Sequence, residues 1–314
     1  MKRILVIKLS ALGDVVLALG PFEAIRRHHA ADHVTLLTTA PYADLARASR
    51  YFDDVWVDAR PRPLDVAGWW ALRRRLRAGR FDRVYDLQTS DRSGVYYRLL
   101  ARPKPEWSGI ARGCSHPHAN PKRDRLHTLE RQAEQLRMAG IPKVAPAELS
   151  WLDGDIGRFG LRPPFVLFVP GGAPHRPEKR WPAGSYAELG RRLSQRGLCP
   201  VLIGAEPERA LLSEIARGCP AARDVCGLTS LAEIAGLARR AEGAVGNDTG
   251  PVHLIAAVGC PVLVLFSSAS DPALSRPRGE RVALLRVPDL GQLPVAEVER
   301  ALKPKEIPEA ASLP

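Results

Sequence analysis

The stretch Val245-Gly246-Asn247-Asp248-Thr249-Gly250-Pro251-Val252-His253 carries the densest chemistry in the chain. A short apolar segment runs into a glycine, a polar turn, a proline, and then the helix formers Leu254–Val258. Pro251 suits the first helical position, where its missing N–H and fixed φ carry no penalty. Asp248 and Thr249 sit where N-capping oxygens belong, and Gly250 lets another group approach the backbone. A helix N-terminus presented in this way offers N–H groups and a positive dipole end, which favours an anion by about 0.3–1 kcal/mol at an exposed site. His253 falls in the first turn of the same helix and faces the same mouth.

Three further stretches fall at the carboxyl ends of expected strands: Lys8–Asp14, Gly171–Trp181 and Gly204–Glu206. The second places Lys179 and Arg180 after Gly171-Gly172, and a glycine-rich backbone with two cations suits a diphosphate. Glu206 at a strand end suits a ribose hydroxyl, as the acidic residue does in dinucleotide folds. Asp14, at a helix start, faces the positive end of a dipole and suits a carboxylate base. The pattern contains neither GxGxxG nor GxxxxGK[ST], so the dinucleotide fingerprint and the P-loop are not supported.

These residue types fit the transfer of a sugar from a nucleotide diphosphate. The leaving diphosphate needs cations or N–H donors and no protein acid. The acceptor hydroxyl needs one base, worth about 10²–10⁴-fold in rate. One carboxylate and a cationic loop are what a single, inverting displacement requires. A double displacement needs a second carboxylate, which Asp248 could supply.

The elements that must hold these loops alternate β and α. Strands are expected at Ile4–Ile7, Val34–Thr38, Val55–Asp58, Arg83–Leu87, Phe165–Val169, Pro200–Ile203 and Val262–Phe266. Helices are expected at Val15–Arg27, Leu64–Ala78, Gly94–Leu100, Leu126–Ala139, Ala183–Arg196, Pro207–Arg217, Leu231–Arg240 and Val295–Leu302. In the second of these helices Trp69 and Trp70 are expected to pack inward, with Arg73–Arg75 and Arg77 in water. Arg102–Arg125 reads as an irregular basic loop, either solvated or a clamp for an anionic acceptor. Its His116 and His118 have no carboxylate or cysteine to complete a ligand set, so no metal is expected. Pro142–Pro164 is rich in proline and glycine and marks the domain boundary. The fold class is α/β, a pair of Rossmann-like domains facing one another.

At 314 residues, 45% apolar and 25% charged, the chain has room for two ordinary α/β domains with a sizeable core. Its formal charge of +12 favours acidic partners, although the arginines are widely spread. Five cysteines, without a CxxC pair, read as reduced, mostly buried thiols of a cytosolic protein. Lys8 and Asp14 interrupt the apolar N-terminal run, which argues against a signal peptide, and no 18-residue uncharged segment is present.

At Lys8-Leu9-Ser10-Ala11-Leu12-Gly13-Asp14, Lys179-Arg180-Trp181-Pro182, Gly204-Ala205-Glu206 and Gly246–His253 the chain resembles glycosyltransferase family 9, the heptosyltransferases of lipopolysaccharide core assembly. The four pieces occur in family order and span most of the chain. The resemblance implies a GT-B fold, with residues 1–160 as an acceptor-side domain that carries the base and 161–314 as the nucleotide-sugar domain. The last helix is free to pack back on the first domain. It also implies metal-independent inverting transfer, without a cofactor, from an ADP-heptose donor to a lipopolysaccharide-core or related anionic glycolipid acceptor.

Position by position, the resemblance implies that Asp14 is the base, with Ser10 and Gly13 shaping its loop. Lys179 would contact diphosphate or ribose and Glu206 the ribose. Asp248 would accept a sugar hydroxyl, while Thr249 and Gly250 bind phosphate through N–H groups. Arg180 is either a ligand residue or surface, and His253 lies at the mouth. Arg112, Arg123 and Arg125 are the acceptor-side candidates. The expected protein is cytoplasmic, visits the inner-membrane surface and binds no nucleic acid. A nucleotide-sugar epimerase on the same architecture, a transferase using another nucleotide sugar, and a basic nucleic-acid-binding protein remain the competing readings.

Overall fold

Ile4–Ile7 presents four successive apolar residues, all fully buried, as a parallel strand covered on both faces requires. In the computed structural model, which describes residues 1–172 and 176–305, they belong to β1 (Arg3–Ile7). Residues 173–175, within the expected Gly171–Trp181 loop, and 306–314 lie outside the described residues. The chain divides into two units, Met1–Trp151 and Leu152–Pro314, at a point inside the proline- and glycine-rich segment.

In the first unit β1 pairs in parallel with β2 (His33–Thr38) on one side and β4 (Arg83–Asp86) on the other. β3 (Asp54–Val57), β5 (Glu106–Gly109) and β6 (His116–Pro117) complete the sheet in the order β3-β2-β1-β4-β5-β6. Six helices connect or cover it: α1 (Leu12–Leu17), α2 (Leu19–His28), α3 (Ala40–Ser49), α4 (Val66–Ala78), α5 (Asp91–Leu99) and α6 (Thr128–Met138). One core cluster joins Leu5, Ile7, Leu37 and Val84 of the sheet to Leu72 and Leu76 of α4, Tyr96 of α5 and Trp107 of β5.

Three local differences from the pattern reading have physical causes. The single helix expected over Val15–Arg27 is two, α1 and α2, with Ala18 between them. Pro21 has no N–H to return to the Leu17 carbonyl, and its ring crowds that carbonyl. The basic stretch 102–125 hides β5 and β6, because β5 advertises itself by one apolar residue, Trp107, and β6 has only two residues. Trp70 is 57% exposed, whereas the buried positions of α4 are Leu72 and Leu76, with Trp69 half-buried. That inner stripe runs through 69, 72 and 76, which leaves Trp70 on the outer face.

The second unit repeats the plan. β7 (Phe165–Val169) lies between β8 (Cys199–Leu202) and β10 (Gly243–Asn247), and β9 (Arg223–Asp224), β11 (Val262–Phe266) and β12 (Val282–Arg286) extend the sheet. The order is β12-β11-β10-β7-β8-β9, with every pair parallel. Its helices are α7 (Ala183–Gln195), α8 (Arg209–Gly218), α9 (Leu231–Arg240), α10 (Gly250–Ala257), α11 (Pro272–Ser275) and α12 (Val295–Ala301). α12 packs on α7 and β12.

Counted within its own unit, each sheet therefore has the order 3-2-1-4-5-6. The connections leave in opposite directions between the first and fourth strands, and a crevice opens there at the carboxyl ends. In the first unit this point lies after β1 and β4, and in the second after β7 and β10.

α9 leads into β10 and is seated by a backbone contact. A Cβ added at Gly236 would lie 2.2 Å from the carbonyl oxygen of Gly154. Gly236→Ala should therefore lower the unfolding free energy by about 1–3 kcal/mol, read as a reduced urea midpoint; an unchanged midpoint would mean that the contact is not tight.

Candidate functional site

In the second unit the crevice is lined by the loop after β7 and the turn between β10 and α10. Asn247 ends β10 and is fully buried. Its Oδ1 accepts from the Trp181 N–H at 3.1 Å and the Tyr186 hydroxyl at 3.1 Å. Its Nδ2 donates to the carbonyls of Pro170 at 2.7 Å and Gly171 at 3.2 Å. One amide thus ties the end of β7, the end of the cationic loop and α7 to the strand that precedes the candidate turn.

Glu208 holds the same loop from another side. Its carboxylate accepts from the N–H of Gly172 at 2.8 Å and of Ala205 at 2.8 Å. A Cβ at Gly171 would fall 1.8 Å from Glu208 Oε1, so glycine is required for this approach. Arg180 donates to the Gly172 carbonyl at 2.6 Å, and its Nε is buried with no hydrogen-bond partner. Trp181 is fully buried, with its indole N–H on the Leu293 carbonyl at 3.0 Å. It packs in the core of the second unit.

This scaffold brings Lys179 and Asp248 together. Lys179 Nζ donates to Asp248 Oδ2 at 2.9 Å, with the two side chains only 14% and 9% exposed. Thr249 occupies the N-cap position of α10 in extended conformation, but its hydroxyl makes no capping bond. Asp248, Thr249 and Gly250 are half-buried, and His253 is buried one turn further in, beside Val252 and Leu254. Glu206 lies apart from the Lys179–Asp248 pair in its contacts. It is exposed at the start of a 3-10 turn, and both its oxygens are taken by Arg209 at 2.7 and 2.5 Å. The guanidinium holds its carboxyl below the usual range.

In the first unit, Asp14 lies in the first turn of α1, half-buried, and accepts weakly from the Ala11 N–H at 3.4 Å. Gln88, after β4, fixes the loop by accepting from the N–H groups of Leu9 at 2.8 Å and Ser10 at 3.2 Å. Gly13 is buried and Ser10 half-buried. Beneath the loop lie two charged side chains that pattern reading does not single out. Lys8 is 4% exposed with Nζ on the Leu87 carbonyl at 3.3 Å; burial lowers its pKa and Asp14 opposes that shift. Asp86 is fully buried, and burial pushes its carboxyl up to about 6, against N–H donation from Thr89 at 2.9 Å and Gln88 at 3.1 Å.

Of the acceptor-side candidates, Arg123 neighbours Arg131, a residue that interacts with Asp14. Arg123 pairs with Asp124 at 2.7 Å, while its Nε and Nη2 are buried without hydrogen-bond partners. Arg131 of α6 approaches the same Asp124 at 3.8 Å. Burial and the neighbouring Arg123 lower the Arg131 pKa, while Asp14 and Asp124 raise it. Arg125 is exposed, and Arg112 lines a different cavity with Arg77 and Lys104. His116 and His118 diverge, His116 to Ser115 and Arg83 and His118 to Glu134. Among the described residues no group of three or more His, Cys, Asp or Glu is placed to hold a metal ion.

Residues 69–305 match the family described as glycosyltransferase family 9 (heptosyltransferase), a span that includes every second-unit candidate but begins after Asp14. The chain is 32% identical over 129 residues to lipooligosaccharide heptosyltransferase 2 of Haemophilus influenzae, covering 40% of this chain and 37% of that protein. It thus spans about two-fifths of the length of the first curated relatives it matches. A glycosyl transferase family 9 structure from Veillonella parvula superposes with a TM-score of 0.83 at 20% identity, covering 96% of this chain and 95% of that one. Escherichia coli heptosyltransferase WaaC, solved with ADP, superposes at 0.74 and 22% identity, covering 95% and 98%. These likenesses show the fold, a GT-B arrangement of two α/β units.

The position of Asn247 makes a test of the scaffold. Asn247→Asp keeps the acceptor for Trp181 and Tyr186 but turns the donor towards Pro170 and Gly171 into an acceptor. Each buried group left unsatisfied costs about 1–3 kcal/mol, so the urea midpoint should fall sharply; an unchanged midpoint would remove Asn247 from its organising role.

Proposed function

We propose that this chain, which belongs to glycosyltransferase family 9, moves heptose with inversion from an ADP-activated donor to a lipopolysaccharide-core or related anionic glycan. The observation that carries the reading is the Lys179–Asp248 pair, 2.9 Å apart and nearly buried, at the amino end of a helix without a side-chain cap. A diphosphate takes the ammonium and the N–H groups of Thr249 and Gly250, and Asp248 accepts a sugar hydroxyl. The ADP-bound relative and the heptosyltransferase names support the donor.

The chemistry needs little else from the protein. The acceptor oxygen attacks the anomeric carbon from the face opposite the diphosphate. The carbon–oxygen bond to phosphate breaks, its electron pair stays on the leaving ADP, and Lys179 with the helix N-terminus stabilises the charge. Asp14 takes the acceptor hydroxyl proton. Glu206 contacts the ribose, with Arg209 fixing its orientation. Arg180 and Glu208 keep the glycine loop in place, and His253 supports the first turn of α10 from beneath. Arg123 and Arg131 offer more positive charge than Asp124 balances, which suits an anionic acceptor beside the base. This reading gives donor binding to the second unit and the base to the first, close to the 1–160 and 161–314 division expected from the sequence.

Thermal-shift measurements with ADP, UDP, GDP, CDP and ADP-heptose test the donor. ADP and its heptose conjugate should stabilise selectively, and Lys179→Ala should weaken that stabilisation. Preference for UDP or GDP would leave the family and discard heptosyl transfer, and no response to any nucleotide would remove the donor site.

Asp14→Asn tests the base separately. Turnover should fall by about 10²–10⁴-fold with the ADP-induced shift unchanged. Full turnover in that variant would refute the role.

A further inference from the structure

The outer ridge of α4 has a character that the transfer reaction does not use. Val66, Trp70, Arg73, Arg74 and Arg77 recur at helical spacing on the side away from the core residues Leu72 and Leu76. Leu64, just before the helix, is 92% exposed, Val66 79% and Trp70 57%. The apolar end is continuous with the basic end, since Arg74 lies over the Trp70 ring at 4.8 Å. From 60 to 80 the chain carries seven arginines against a single acid, Asp65. That aspartate is occupied as the N-cap of α4, accepting from the Gly68 N–H at 2.8 Å.

The basic end runs into a cavity of about 910 Å³ where Arg77 meets Arg98, Arg102, Lys104 and Arg112, with no acidic residue in its lining. Two of these cations are fixed. Lys104 donates to the carbonyls of Tyr97, Arg98 and Leu100 at 2.7, 3.2 and 2.8 Å, and Arg77 to Leu99 at 2.9 Å. Their charges collect at the carboxyl end of α5 and neutralise its partial negative charge, which leaves Arg98, Arg102 and Arg112 as the surplus cations of the lining.

We infer that this face is a docking surface for an anionic lipid membrane. Exposed aliphatic side chains beside a tryptophan and unbalanced arginines are the composition that lies in a lipid headgroup layer. Leu64, Val66 and the Trp70 ring enter the boundary of the acyl chains, the arginines meet lipid phosphates, and the cavity takes a headgroup. Nucleic acid would match the charge but leave Leu64 and Val66 unused. The inference goes beyond the donor chemistry and stands on surface residues that no step of the transfer uses. Among the described residues no helix is long and apolar enough to cross a membrane.

Sedimentation of the full chain with phosphatidylglycerol/phosphatidylcholine vesicles, and with pure phosphatidylcholine vesicles, tests it. The protein should partition into the anionic vesicles and release at 0.5 M NaCl. Arg73→Glu/Arg74→Glu should weaken partition by at least tenfold, given about fivefold per cation lost at such a surface. Val66→Ser/Trp70→Ser should weaken it at low salt, where the wild type is bound. Both variants should keep the wild-type ADP-induced thermal shift, so a folding defect is separable from lost docking. Equal partition of the wild type into neutral and anionic vesicles, or undiminished partition of both variants, would overturn the inference. So would tighter binding to a 20-base-pair duplex than to vesicles, lost in the arginine variant alone. A wild-type chain that binds vesicles but no nucleotide would overturn the donor reading and leave this one standing.

Discussion

One buried side-chain amide organises the candidate site of the second unit. Asn247 uses both of its acceptor directions and both of its donor hydrogens, and its four partners come from three separate segments of the chain. Each of those partners is a group that could not be left unpaired in the interior without cost. The polar network is therefore complete, which is the condition under which a buried polar cluster rigidifies its surroundings. Lys179 and Arg180 directly precede Trp181, whose N–H Asn247 holds, and Asp248 directly follows Asn247. The two halves of the charged pair are thus set from either side of one residue. Glu208 adds a second clamp on the glycine loop, and its closeness to Gly171 explains why that loop begins with glycine.

In both units the candidate residues stand where topology opens the sheet. In an all-parallel sheet with the order 3-2-1-4-5-6, the carboxyl ends of the first and fourth strands border a crevice that the crossing helices cannot fill. Asp14 and Gln88 stand there in the first unit, and Lys179 and Asp248 in the second. The first unit differs in having a charged floor. Lys8 and Asp86 are buried below the loop, and the carboxyl of Asp86 sits near 6 because burial outweighs its N–H donors.

Much of this was legible in the residues. Phe165–Val169, Leu231–Arg240 and Val262–Phe266 stand where the apolar patterns put them, because long or strongly apolar segments signal their own burial. The four candidate loops fall at strand ends for the same reason. What could not be read is of three kinds. Strands such as β6 and β9 are too short to carry a period, and α3 lies in a run of alanines and arginines with little contrast between faces. The direction of a side chain depends on tertiary packing, so Trp70 and Trp69, adjacent in sequence, part company on α4, and Glu206 and Glu208, two apart, exchange exposure for loop-holding. Partnerships across 69 positions, such as Lys179 with Asp248, leave no trace in local spacing. The signal that could have found Asn247 was its place at the end of an apolar strand, where an amide has backbone on every side.

Under the proposed function, the pairing of Lys179 with Asp248 has a consequence for turnover. The two side chains cancel each other's charge, so a stray anion meets little net attraction there, and a ligand must compete with an internal counter-ion. A nucleotide that carries a sugar can satisfy both groups at once, phosphate to the ammonium and hydroxyl to the carboxylate. A nucleotide that has lost its sugar satisfies only the ammonium and leaves the carboxylate stranded. If the donor binds here as proposed, re-formation of the internal pair favours departure of the spent nucleotide, and the two residues that would admit the donor would also help to clear the product.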